Sequence, residues 1–323
     1  MALQTSGAIS LNDIHVEAGG TSGTTATMND PDIRGLTAAS GRTINSTSGG
    51  NTDFADYYGA SSETVMSSGG TVNGQAQRQE ISASTFISSG ETLNIPSNMW
   101  VWSDSTSTAA LTINIPCTVV IEGKVIGKGG EGGWGFSTAA TAGGPAINVT
   151  SSGVTIQVKS GGYIAGGGGG GGSYSDYSNP SDAHAGGGGG AGGGKGGRGR
   201  INQGIWQQGS GGALNESGGT GGNGSGGAGG GAGGAGGGTQ AGGGGGGRIL
   251  PGVGGGSGQG AGGSAGNAAV SPGSEVWRPA GGGGGWGAAG ALGGGRYAGG
   301  AGGAAITGTS RTLSNSGTIY GST

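Results

Sequence analysis

Five side chains stand out for the chemistry they could do: Tyr174, Tyr177, Trp206, Trp277 and Arg278. Each lies in a polar segment bounded by glycine tracts. The segments are SYSDYSNPSDAHA (173–185), RINQGIWQQGSGGALNES (200–217) and NAAVSPGSEVWRP (267–279). Aromatic rings supply large, stiff contact area at low entropic cost, and polar neighbours supply directional hydrogen bonds. That is the chemistry of non-covalent recognition. The alternative reading is that these aromatics cap or pack the glycine tracts. Trp286, inside GGGGGWGAAG, and Trp134, in GEGGWGF, are read as packing residues.

Reactive chemistry finds little support. His15 and His184 are the only histidines, and with the single Cys117 they make no zinc set and no nucleophile–base grouping. Asp30 with Asp32, and Asp53 with Asp56, could bind calcium, but capping and turn roles suit them better. Paired carboxylates for glycoside cleavage do not emerge from the 16 scattered acids. Matches to G-x-G-x-x-G follow from composition, and none opens a helix after a strand. In GGGKGGRGR the lysine lacks a following Ser or Thr, so no phosphate loop forms there. Its Lys195, Arg198 and Arg200 are read as a solvated turn, with contact to an anionic surface glycan as the sharper alternative. The expectation is a non-enzymatic protein with no catalytic residues, no metal and no cofactor.

The elements that must carry the five candidates are unusual. Of 323 residues, 95 are glycine and 8 proline, about a third of the chain. Such composition reads as low complexity, yet disordered chains are usually far more charged than 9%. A net charge of −3 implies no attraction to nucleic acid or membrane. The opening MALQTSGAISLNDIHVEAGG has no basic start and no apolar core, so no signal peptide is expected, and no apolar run is long enough to span a bilayer. A soluble protein made in the cytoplasm is the expectation. Cys117 lies in LTINIPCTVVIEG and is read as a small core residue.

The chain divides into four regions. Residues 1–60 form a small module: AISLNDIHVEAG is a strand or a helix, NDPDIRGL offers Asp30 or Asp32 as an N-cap with Pro31 near the first turn, and a partner protein is expected to cover it. Residues 61–160 are rich in Ser, Thr, Val and Ile with period-2 alternation and read as short strands. Residues 161–304 are the glycine block, and 305–323 are again strand-like. GKVIG (123–127), GYIAG (162–166) and GTIYG (317–321) share the form G-x-[VI]-x-G. This is a strand with a glycine corner that needs neighbours to bury its apolar residue. The third copy follows the glycine block, so the block reads as an insertion returning to a sandwich or solenoid platform.

An ordered reading of the tracts exists. An extended polyproline II-type helix has three residues per turn and no internal hydrogen bonds. Built of glycine, such helices can approach closely enough for N–H···O and Cα–H···O contacts between neighbours. The tract at 166–172 would span roughly 20 Å at about 3.1 Å per residue. A single tract could not offset its ordering entropy, so many must pack side by side. Further tracts lie at 186–199, 218–238, 242–247, 254–263, 281–290 and 293–303, and Ala228, Ala232 and Ala235 would sit at bundle edges.

Glycine tracts separated by aromatic-bearing loops resemble the distal tail-fibre adhesins of T-even-like bacteriophages. The resemblance implies an all-β, polyglycine II fold: a small attachment module, a β-rich sandwich or solenoid-like middle, and a packed polyglycine II bundle inserted before a C-terminal strand. It also implies that Tyr174, Tyr177, Trp206, Trp277 and Arg278 are receptor-binding residues facing a host surface protein or glycan. GAISLNDIHVEAGG…NDPDIRGL…DFADYYGAS resembles the N-terminal module of many tailed-phage structural proteins. It departs from the T-even attachment domain, so fibre tip, tail tip and baseplate all stay open as its site. The implied partner of 1–60 is a phage tail or fibre protein, the implied location is the virion, and homo-oligomerisation is left open. The competing reading is a structural glycine-rich protein that polymerises or decorates a virion or extracellular filament.

Overall fold

The structure is a computed structural model describing residues 3–39, 41–134, 138–175, 183–201, 204–206, 211, 214, 246, 248, 280–293 and 297–323. Strands dominate and helices are few, as the all-β reading expects.

The N-terminal module holds the helices Leu11–Glu17 and Pro31–Arg34 and the 3-10 turn Phe54–Tyr57. Ser10 and Asp13 close a capping box on the first, and Asp53 with Asp56 does the same for the third. Asp30 precedes the second helix, but its carboxylate accepts from the Thr27 amide and hydroxyl and not from the helix, whose first turn Pro31 already presets. Ile14, Ile33, Leu36, Tyr57 and Ala60 give the module a small core of its own.

Beyond it the chain winds into a three-sided parallel β-solenoid. Side one stacks Ile81–Ser82, Leu111–Ile113, Ile147–Val149 and Ile306–Gly308. Side two stacks Glu63–Val65, Thr92–Ile95, Thr118–Ile121, Val154–Val158 and Arg311–Asn315. Side three stacks Gln75–Gln79, Met99–Trp102, Lys124–Ile126, Tyr163–Ala165 and Thr318–Tyr320, with Thr71–Val72 as an antiparallel edge. Each turn visits side one, then two, then three. The inward residues of all three sides form one core, which includes Leu93, Val101, Leu111, Val119, Val125, Ile147, Ile156, Ile164 and Cys117. Burial raises the Cys117 thiol above its usual pKa, as suits a core cysteine.

The G-x-[VI]-x-G repeat lies on side three. Val125 pairs with Ile164 and Ile164 with Ile319 in parallel register. The leading glycines turn the preceding corner, where a Cβ on Gly123, Gly162 or Gly317 would collide with backbone carbonyls. Both glycine excursions leave from the corner after side three, at 127–146 and at 166–305, and each returns to side one.

The excursions build a bundle around the tract at 166–172. Successive amides of that tract donate to different neighbours and repeat every third residue. Gly168 and Gly171 donate to Ala191 and Gly188, Gly167 and Gly170 to Gly144 and Thr141, and Gly169 and Gly172 to Ala288 and Ala291. Its carbonyls accept with the same spacing from Gly130 and Gly133, from Gly284 and Gly281, and from Gly303 and Gly300. Six tracts therefore surround one. They also bond to each other around the ring: 128–133 to 186–191, then 281–284, 288–291, 300–303, 141–144 and back. No side chain fits at the centre, since a Cβ on Gly170 would overlap the Glu131 carbonyl and one on Gly169 that of Gly300. Residues 128–133 and 141–144, read from the sequence with the β-rich region, thus run as bundle tracts. The tracts expected at 218–238 and 254–263 lie outside the described residues.

The bundle also covers the outer face of side three. Trp100, Ile126, Tyr163 and Ala165 are buried there against Ala191, Leu214 and Trp286, which is fully buried as a packing residue should be.

Candidate functional site

The bundle has two ends. At the base, Gly166, Gly192 and Gly303 meet the solenoid. At the distal end the central tract stops at Ser173, beside Gly133 and Gly293. Three chain reversals gather here. The Trp134–Thr138 and Gly293–Tyr297 bridges close two of them, and the third opens into a four-stranded antiparallel sheet.

That sheet is ordered Tyr174–Ser175, Ala183–Ala185, Gly199–Ile201 and Gly204–Trp206. Its register sets Tyr174 opposite Ala185 and Trp206 opposite Gly199, with Ala183 opposite Ile201. Tyr174 and Trp206 therefore share one row across the sheet, one on each edge strand. Four strands at about 4.8 Å separation place their backbones roughly 14 Å apart. Two of the five candidates are thus brought together. Tyr177, Trp277 and Arg278 lie outside the described residues.

Two exposed apolar side chains stand on the same end and were missed from the sequence as contact residues. Trp134 is 38% exposed and Leu292 54%. The Arg198 guanidinium lies 5.5 Å from the Trp134 ring centroid, a cation–π distance. Trp134 is therefore no interior packing residue: it stands where its tract ends and the bundle no longer covers it. The signal that could have found it is the change from GEGG to FSTAATAGG around it, which marks a reversal between two tracts. Lys195 is exposed, as a solvated turn requires.

The distal surface offers aromatic and aliphatic area with cationic groups beside it, on a frame without side-chain freedom. This arrangement is suited to binding. Among the described residues no group of three His, Cys, Asp or Glu could hold a metal ion. No helix among them is long and apolar enough to cross a membrane.

Comparison with known proteins bears on this arrangement. None of the curated proteins matches the chain. Among solved structures, the crystal structure of the gp37-gp38 adhesin tip complex of the bacteriophage S16 long tail fibre aligns with a TM-score of 0.45 and 20% identity, covering 82% of this chain and 84% of that one. Residues 91–241 match the family model of the phage tail fibre adhesin Gp38, a stretch that runs from the second solenoid turn into the glycine block. Over those residues the chain is similar to the phage tail fibre adhesin Gp38, the kind of protein that its glycine tracts and aromatic loops resemble.

Proposed function

We propose that this protein is a bacteriophage adhesin that binds a host cell-surface receptor through the loops at the distal end of a polyglycine II bundle. The observation that carries the reading is the central tract at 166–172, whose bonds repeat every third residue to six neighbours. Three residues per turn is the polyglycine II period. A bundle held this way is stiff, so loops leaving its end keep their spacing while their own residues vary. Tyr174, Tyr177, Trp206, Trp277 and Arg278 are the contact residues in this reading, and Trp134, Arg198 and Leu292 join them. The protein acts by binding and not by catalysis.

Residues 1–60 attach the adhesin to a phage tail or fibre protein at the virion tip. Six carboxylates against two arginines give this module a net of −4, whereas the whole chain carries −3. A basic patch on the partner is the expected complement. The test is adsorption of phage carrying Tyr174→Ala, Tyr177→Ala and Trp206→Ala together. Adsorption should be lost with particle assembly intact; full adsorption by the triple variant would overturn the loop assignment.

A further inference from the structure

Arg248 belongs to the glycine block, yet its side chain is held by the solenoid. The residue is 4% exposed. Its Nη2 donates to Asp104 Oδ1 at 2.9 Å and its Nε to the Gly192 carbonyl at 3.0 Å, and its guanidinium lies 4.5 Å from the Trp102 ring centroid. Lys128, where the first glycine excursion begins, donates to the same Asp104 oxygen. Asp104 is itself fixed, because its amide and the Ser103 hydroxyl both donate to Glu80 Oε1, at 3.0 and 2.9 Å. At the other end of side three, Asn73 donates to the Leu214 carbonyl at 3.1 Å. The bundle base and the corner after the Met99–Trp102 strand thus meet at one guanidinium.

Stability alone does not call for a charge here. An apolar side chain of similar volume over Trp102 would serve burial as well, because desolvating an ion pair offsets much of its attraction. What a planar fork adds is direction. One edge addresses Asp104 on the solenoid, another addresses Gly192 in the bundle, and the face lies on Trp102. A hydrophobic contact could slide along side three, whereas these three constraints cannot all be kept if the bundle shifts.

We infer that Arg248 is a positioning residue: with Asp104, Lys128 and Trp102 it registers the glycine bundle on the solenoid and so aims the distal surface. The adsorption part of the test rests on the adhesive reading of that surface, and the exchange part does not. The experiment uses the full chain, alone and on phage particles, with Arg248→Met, Asp104→Asn and the exchanged pair Asp104→Arg with Arg248→Asp. Methionine keeps a long apolar stem and removes the charge and the donors. Amide hydrogen exchange at 190–194 and 246 should rise about tenfold in both single variants, with the strands Leu111–Ile113 and Thr118–Ile121 unchanged. The exchanged pair should recover part of that protection. Adsorption should fall in the single variants and recover with the pair. Unchanged exchange at the bundle base would overturn the inference. So would an equal loss of protection in the solenoid strands, which would make the cluster a general folding contact. Faster exchange at the base with normal adsorption would uphold the positioning role and overturn the adhesive reading instead.

Discussion

Asp104 has two cations to answer and only partial cover from water. Burial alone would raise its carboxyl; the hydrogen bond and charge of Lys128, then those of Arg248, outweigh burial and hold it below the ordinary carboxylate range. A carboxylate whose folded pKa is depressed stabilises the native state at neutral pH and loses that contribution as pH falls through the folded value. Contact at the bundle base should therefore hold across the neutral range. It should weaken only in acid below about pH 4, the ordinary aspartate value, and Asp104→Asn should remove the dependence. Exchange at 190–194 followed through a pH series, corrected for intrinsic rates, checks both. The two tryptophans set among glycines should separate cleanly. Trp286→Ala removes a fully buried ring and should cost about 3–5 kcal/mol of stability, read by denaturant unfolding. Trp134→Ala, at a half-open loop end, should leave stability within about 0.5 kcal/mol and lower adsorption. From the sequence the two looked alike, because a glycine neighbourhood says that side chains are excluded nearby but not where a tract ends. The small core role of Cys117 and the capping roles of Asp53 and Asp56 were legible, since each depends on local pattern.

At the scale of elements, the central tract and the repeating strands obey opposite packing rules. Inside the solenoid, side chains fill space: Ile164→Ala should cost about 2–5 kcal/mol by leaving a cavity. Inside the bundle, absence of side chains is the packing: Gly170→Ala must displace the Glu131 backbone and should cost about 1–3 kcal/mol or more. Ala142→Ser, on an exposed edge of the bundle, should be close to neutral. Melting of the three variants side by side tests the contrast. The strand-rich middle and the G-x-[VI]-x-G unit were legible because period 2 and a corner glycine are local signals. The tracts at 128–133 and 141–144 were not. Glu131, Thr141 and Ala142 sit on the outside, where a side chain meets water, so composition there never reaches the glycine content of the buried tracts.

For the whole molecule, the three-sided winding was not legible in the sequence. Each side is only a few residues long, and the turn from Ile164 to Ile319 is interrupted by the entire glycine block, so no fixed period survives along the chain. The N-terminal module, with its own core and its acidic balance, should behave as a separable grip. A chain lacking residues 1–60 should keep exchange protection at 166–172 and fail to join particles; loss of protection in the bundle would show that the module holds the rest together. The bundle also gives the molecule an unusual thermodynamic profile. Its interior consists of peptide groups bonded to peptide groups, with almost no apolar side chain. Hydrating polar surface lowers the heat capacity by about 0.26 cal/K/mol per Å², while apolar surface raises it by about 0.45. Melting the bundle should thus carry a far smaller heat-capacity increment than melting the solenoid. Its stability curve should be correspondingly flat, so that the bundle itself should keep its order in cold water, where ordinary hydrophobic cores begin to lose their advantage.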